Sequence, residues 1–267
     1  MRPATLPSYI TQLFSYSNEE KIALIKRQYA ALLKGQPEVT VVIPAYNEEE
    51  NILNPLLSIS ANITSRSVEL IVVNNNCTDD TEALVLASGV KCIRETTKGV
   101  TAARTAGLHA ARGKYILNAD ADSIYPPTWI DAMIPPLDDN KVAITYGMFA
   151  FLPGIGKARF TYFLYENVAD MLRWYKRNFK EEAMNVYGCN SGFRKEQCLQ
   201  VDAYEHPPGT NEDGWLAVKL RGKGFGKLHK VYNNKALVWT VDRHLQNDGG
   251  LLKAFTMRIK QVFMPGK

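Results

Sequence analysis

The chain has 267 residues, 46% of them apolar, which is enough for one sizeable core and fits a single α/β unit. Lys and Arg number 32 against 27 Asp and Glu, and the formal net charge of +5 suits an anionic small ligand or a membrane surface but is too weak for nucleic acid. The four cysteines, Cys77, Cys92, Cys189 and Cys198, form no C-x-x-C pair, so neither zinc spacing nor a disulfide framework has support.

The opening Met1-Arg2-Pro3-Ala4-Thr5 lacks the apolar run of a signal peptide, and no apolar stretch reaches bilayer length. A cytoplasmic location is therefore expected. Residues 1–37 read as a helical extension. Asn18 is placed to cap a helix over 19–33, with Ile22, Ile25, Tyr29 and Leu32 at helical spacing and Gly35 and Pro37 beyond its end.

Residues 38–245 form the main domain, beginning with a strict strand–helix rhythm. The pattern predicts strands at 39–43, 68–73, 90–94 and 115–118. Helices fall between them, from Asn47 to about 61 with Glu50 as capping-box partner, then at 78–88 and 100–111. Such alternation predicts an α/β fold with a Rossmann-like, mostly parallel central sheet, helices on both faces and the ligand edge at the strand C-termini. The second half is less regular. It predicts a helix at 129–134, a strand at 142–149, an aromatic-rich helix at 160–179 and an irregular segment at 185–194. A helix at 213–221 and strands at 227–231 and 236–240 follow. In the tail, 246–267, a helix over 251–263 would set Leu251, Leu252, Phe255, Ile259 and Phe263 on one face beside Lys253, Arg258 and Lys260. A basic amphipathic helix suits peripheral contact with an anionic bilayer; the commoner fate of such a face is packing on its own domain.

Five segments can carry chemistry. Pro44-Ala45-Tyr46-Asn47-Glu48 follows the first strand on the ligand edge, where Tyr46 can stack on a base; as a bare pattern it is also an ordinary capped turn. Asp120-Ala121-Asp122 ends the fourth strand. Two carboxylates one residue apart share a side of an extended chain and repel unless a hard cation, Mg²⁺ or Mn²⁺, joins them to diphosphate oxygens. Thr210 and Asp213 have capping-box spacing, while Asp213 at a helix N-terminus would keep a lowered pKa and serve equally as an ionised general base. Lys98 to Arg104 joins basic groups to a small-residue helix start that can attract phosphate, or that packs on the sheet with Lys98 and Arg104 exposed. Gly188 to Arg194 reads as an acceptor border or as a plain glycine-rich turn. After the last strand, Arg243 is a candidate phosphate contact and His244 a candidate metal ligand.

Together these segments resemble the inverting glycosyltransferases of family 2, which adopt the GT-A fold. The resemblance runs over roughly residues 39–245. It rests on Val41-Val42-Ile43-Pro44-Ala45-Tyr46-Asn47-Glu48, on Val72-Val73-Asn74-Asn75-Asn76-Cys77-Thr78-Asp79, on Gly99 to Gly107, on Asp120-Ala121-Asp122 and on Glu212-Asp213. It implies a donor of the UDP- or GDP-sugar type, a carbohydrate or lipid-linked acceptor, and a divalent metal, Mg²⁺ or Mn²⁺. The transferred unit would be a hexosyl or N-acetylhexosaminyl group, in polysaccharide, glycolipid or cell-envelope biosynthesis. By resemblance, Ala45, Tyr46 and Glu48 would lie at the nucleotide; Pro44, Asn74, Asn75, Lys98, Arg104 and Arg243 are further candidates to bind substrate. Asp120 would meet the ribose or the metal, and Asp122 the metal at the diphosphate. Asn190, Ser191 and Gly192 would border the sugar and acceptor, and Glu212 would stand beside the catalytic base Asp213. Two departures are visible. Asn74 and Asn75 stand where many members carry acids, and the Gln-x-x-Arg-Trp motif of processive synthases is absent, which points to single transfer. A nucleotidyltransferase would need a glycine- and Lys/Arg-rich first loop, unlike Ala45-Tyr46-Asn47-Glu48, and a non-catalytic nucleotide-sugar sensor would not need Asp120, Asp122 and Asp213 intact.

Overall fold

A computed structural model describes residues 2–154 and 158–243. Two helices precede the first strand, α1 (Ser8–Ser15) and α2 (Asn18–Leu32). The cap of α2 is Ser17 rather than Asn18. Ser17 Oγ accepts from the Glu20 amide at 3.2 Å, and the Glu20 carboxylate accepts from the Ser17 amide at 2.7 Å. The reciprocal pair needs an acid three residues after the cap, and only Ser17 has one. Ile10, Leu13, Ile25, Tyr29 and Leu32 share a core cluster with Val39, Val41 and Leu70, and the Leu70 amide donates to the Tyr29 hydroxyl at 3.0 Å. The first 37 residues thus bury their apolar stripe against the sheet.

The alternating half runs β1 (Val39–Ala45), α3 (Leu53–Ser60), β2 (Val68–Asn74), α4 (Thr81–Ala87), β3 (Lys91–Arg94), α5 (Val100–Ala110) and β4 (Tyr115–Asn118). β1, β2 and β4 are buried along almost their whole length, as expected of apolar strands covered on both faces. The helix after β1 starts at Leu53, not near Asn47. Asn47 adopts φ +52° and uses its side-chain oxygen to accept from the Thr78 amide at 2.8 Å, so it ties two loops together instead of capping with Glu50.

Then follow β5 (Ser123–Ile124), α6 (Trp129–Met133), β6 (Val142–Tyr146), β7 (Phe149–Phe151), α7 (Arg159–Phe179), β8 (Ser191–Arg194), α8 (Lys195–Leu199), α9 (Glu212–Gly222), β9 (Lys227–Lys230) and β10 (Val238–Thr240). Seven strands form one sheet in the order β3-β2-β1-β4-β8-β6-β9, parallel except for β8, which runs antiparallel to β4 and β6. A second, small sheet has the order β5-β10-β7.

Two expectations change here. The predicted strand 142–149 breaks at Gly147 into β6 and β7, which belong to different sheets; a Cβ at Gly147 would run into the Asn190 amide. The segment 185–194 is not irregular throughout, because its second half is β8 in the middle of the main sheet. Gly192 reads as a turn residue but is a close-packing position, since a Cβ there would stand 2.6 Å from Leu117 Cδ2. The tail helix proposed at 251–263 and His244 lie outside the described residues.

Candidate active site

The C-terminal ends of β1, β2 and β4 open into a cavity of about 460 Å³. Pro44, Ala45, Tyr46 and Glu48 form one wall, Lys98, Gly99, Val100 and Ala103 another, and Asp120, Ala121, Asp122 and Arg243 the third, with Asn75 beneath. This is the edge at which open α/β sheets bind ligands. Tyr46 is 61% exposed at the mouth, so its ring is available to a planar partner. Gly99 takes φ +118°, a conformation other residues avoid, and as the cap residue of α5 it lines the cavity.

Asn75 lines the cavity but is heavily engaged by the β3–α5 loop. Its amide donates to the Glu95 and Thr97 carbonyls at 3.1 and 2.7 Å, and its oxygen accepts from the Gly99 amide at 2.9 Å. Asn74 lies outside the lining. It donates to Glu82 at 2.8 Å and accepts from the Cys77 amide at 2.8 Å. Both asparagines therefore hold loops in place, and a direct reading of the base by Asn74 is not what the geometry offers.

At the cavity's third wall, one nitrogen of Arg243 donates to Glu48 at 2.6 Å and to Asp122 at 2.7 Å. Thr240 Oγ1 adds a bond to Asp122 at 3.3 Å. Burial raises the pKa of Glu48, the Arg243 contacts oppose that, and the nearby Asp122 charge adds to the rise. Two carboxylates thus converge on a single point, and positive charge is required there.

Deeper lies a second cluster, centred on Arg104. Arg104, expected either to meet donor phosphate or to lie exposed, does neither: it is buried outside the cavity lining, with its side chain turned toward α9. It forms a short bond with Asp213, meets Asp120 at 3.2 Å and approaches Glu212 at 3.8 Å. Asn118 donates to the same Asp213 oxygen at 3.2 Å, and Tyr204 donates to Asn118 at 2.6 Å. Burial lowers the pKa of Arg104, but the charges of Asp213 and Asp120 more than offset this and raise it overall.

Asp213 departs from the expected lowered pKa. The helix cap is Asn211, which accepts from the Gly214 amide at 2.6 Å, and Thr210 instead donates to the Pro207 carbonyl. Asp213 is buried, and desolvation pushes its pKa up to about 7 against the pull of Arg104, with Glu212 and Asp120 pushing the same way as burial. One guanidinium cannot neutralise three carboxylates, so a proton resides readily on the most buried of them. A carboxyl balanced in this way at neutral pH is matched to accept a proton.

Asn190, Ser191 and Gly192 do not line the cavity. Asn190 is a buried junction: it accepts from the Trp129 indole at 2.8 Å and donates to the Met148 and Ala236 carbonyls at 2.8 and 2.7 Å. Ser191 accepts from Asn118 at 3.2 Å, inside the sheet. Two positioning residues carried no sequence signal of their role. Tyr125 accepts from the Asp120 amide at 2.8 Å and donates to the Cys189 carbonyl at 3.1 Å, which fixes the backbone of the acidic motif. Gly188 lies flat against Arg104, where a Cβ would overlap the guanidinium. Gly188→Ala should displace Arg104 and cost about 1–3 kcal/mol of stability, read by urea unfolding. An unchanged midpoint would mean that Arg104 moves freely.

The family model "Glycosyl transferase family 2" matches residues 40–199, more than half of the chain. An uncharacterised glycosyltransferase of Rickettsia prowazekii is 32% identical over 114 residues, which cover 41% of this chain and 36% of that protein. The Escherichia coli enzyme WfaP, a UDP-Glc:α-D-GlcNAc-diphosphoundecaprenol β-1,3-glucosyltransferase, is 30% identical over 115 residues, 42% of this chain and 45% of its own length. The chain thus spans less than half the length of these curated relatives. In fold it is similar to a mannosyltransferase of Pyrobaculum calidifontis solved with GDP-Man and Mn²⁺, at 19% identity and a TM-score of 0.60, covering 94% of this chain and 74% of that one. The family match covers β1, β2 and β4, which carry the cavity and the acidic motif, and the chain belongs to glycosyl transferase family 2, with the GT-A fold.

Proposed function

We propose that this protein transfers a sugar from a UDP- or GDP-sugar to an acceptor hydroxyl by a single displacement that inverts the anomeric carbon. The observation that carries the proposal is the pairing of a cavity edged by Asp120 and Asp122 with a buried Asp213 poised near neutral pH, Asp120 and Asp213 being joined through Arg104. WfaP is named for a UDP-Glc donor and a diphosphoundecaprenol-linked acceptor, and the Pyrobaculum enzyme was solved with a GDP-sugar and Mn²⁺, which supports a nucleotide donor and a carbohydrate or lipid-linked acceptor here.

The residues present fit a divalent cation. Glu48 and Asp122 already converge on a positive charge, supplied by Arg243. Among the described residues no three His, Cys, Asp or Glu side chains surround one point. A cation of this kind is commonly held by one or two carboxylates and completed by substrate phosphates. Asp122 and Asp120 would hold it. When bound, the ion offsets charge growing on the departing diphosphate.

The chain's own groups supply the rest. Tyr46 offers a stacking face for the base, and Lys98 and Arg243 stand at the cavity wall to meet phosphate oxygens. Asp213 accepts the acceptor's proton on a carboxylate oxygen as that hydroxyl attacks. Arg104 stays charged throughout, keeps Asp213 in register with Asp120 and steadies the carboxylate before the proton arrives.

The test is a panel of UDP- and GDP-sugars, each with Mn²⁺, read by thermal shift and then by release of nucleoside diphosphate. A donor that binds the folded state raises the melting temperature. Asp122→Ala should lose the metal-dependent part of that shift. If it retains the full shift in chelator, the metal assignment fails; if no donor stabilises the unmutated chain, the transferase reading fails.

A further inference from the structure

Helix α7 is amphipathic in an inverted sense. Its acidic residues face inward: Glu166 is fully buried against Arg159 at 2.6 Å, and Asp170 is bonded to Arg2 and Arg173, both at 2.8 Å. Its outward face is apolar. Phe160, Leu164, Val168, Met171 and Trp174 recur at helical spacing and are all exposed, Met171 by 69% and Trp174 by 57%. No charged residue lies among them, and Asn178 completes the row. A stripe of about 20 residues, on the order of 30 Å long, is much more than the scattered apolar exposure of an ordinary surface and marks an interaction face.

We propose that this face of α7 seats the protein on an anionic lipid bilayer. Charge selects this occupant. Lys176 and Lys180 stand at the C-terminal end of α7, while Arg177 packs over the Tyr232 ring. The chain beyond Asp248 contains Lys253, Arg258, Lys260 and Lys267 and no acid. A second copy packed parallel would bring like charges together at the basic ends, and the tail carries the same sign as those ends. An anionic surface accepts both sets of cations, with the lysine stems reaching up from the apolar layer. Trp174 has the apolar body and polar N–H that suit the headgroup boundary. Tyr162, in the first turns of α7, bonds to Asp242, next to Arg243 of the cavity wall, so a seated α7 holds the cavity beside the lipid surface. Among the described residues no helix is long and apolar enough to cross a membrane, which leaves lying on the surface as the mode of contact.

The proposal is independent of catalysis and is tested without donor. The full chain is floated with vesicles of phosphatidylcholine, alone or mixed with phosphatidylglycerol. Binding should favour the mixed vesicles and fall by on the order of tenfold or more in the double variant Leu164→Glu/Met171→Glu, judged folded by an unchanged thermal midpoint. Should that variant misfold, Trp174→Phe keeps the question answerable: brominated lipid should quench the parent's fluorescence and leave the variant's unchanged. Equal flotation of variant and parent, equal binding to neutral and anionic vesicles, or quenching that survives Trp174→Phe would each overturn the proposal. So would lipid-free self-association of the parent that the double variant abolishes, which would make a second copy the occupant.

Discussion

Replacing Asp213 by Asn is expected to leave donor binding intact and to lower transfer by two to four orders of magnitude, the usual range for loss of general-base assistance. The side chain keeps its size, and its oxygen can still accept from Arg104 and Asn118, so the fold has little reason to change. What is lost is the ability to accept a proton. The pH profile gives a second reading of the same prediction. With burial holding Asp213 at about 7, its protonated form dominates at pH 6 and cannot act as base. Transfer by the unmutated chain should therefore climb as pH rises through about 7 and then level off, while the Asn variant's residual rate lacks that rise. A variant that keeps the parent's rate and profile would reduce Asp213 to a structural acid.

Arg104→Met should be the most destabilising single change in the site. It keeps most of the side-chain volume but leaves Asp213, Glu212 and Asp120 without their shared cation. Removing one member of a buried ion pair costs about 3–5 kcal/mol, chiefly through the charge left behind. The loss has a definite pH dependence. Without Arg104, the pKa of Asp213 rises further above its unfolded value, since burial and the two acidic neighbours act unopposed. An acid with a raised folded pKa contributes its stability below the unfolded pKa and loses it as pH rises through the folded one. The deficit should therefore be large above pH 8 and shrink as pH falls from the variant's raised pKa to about 7, with little further change once Asp213 is protonated in both proteins. Urea titrations at several pH values decide it; a small deficit that does not change with pH would show that the cluster is not electrostatically coupled.

The parts of the fold legible in the sequence are those fixed by local pattern. β1 and β2 announce themselves as runs rich in β-branched residues, β4 as a short apolar run, and the acidic motif is found because it follows β4 directly. Errors of one residue, such as Asn18 for Ser17, come from choosing between adjacent capping types. The larger misses share one cause: residues whose local meaning is overridden by a distant partner. Asn47 looks like a cap and is instead a tie to Thr78. Gly188 and Gly192 look like turn residues, yet one makes room for Arg104 and the other for Leu117. Arg104 sits on a helix start that suggests exposure, and only the approach of α9 shows that it is buried among three acids. Asn190 has the polarity of a binding residue, but its polar atoms are used by an indole and two carbonyls from other elements.

Arg243 already meets the demand for positive charge at Glu48 and Asp122. A bare ion arriving alone must evict a guanidinium and gains few ligands in exchange. A nucleoside diphosphate would change that balance, since its anionic oxygens would offer Arg243 a partner in place of Glu48 and Asp122. Ion and nucleotide would then load as one unit, with the arginine released from its clasp only when the cargo that needs it is present.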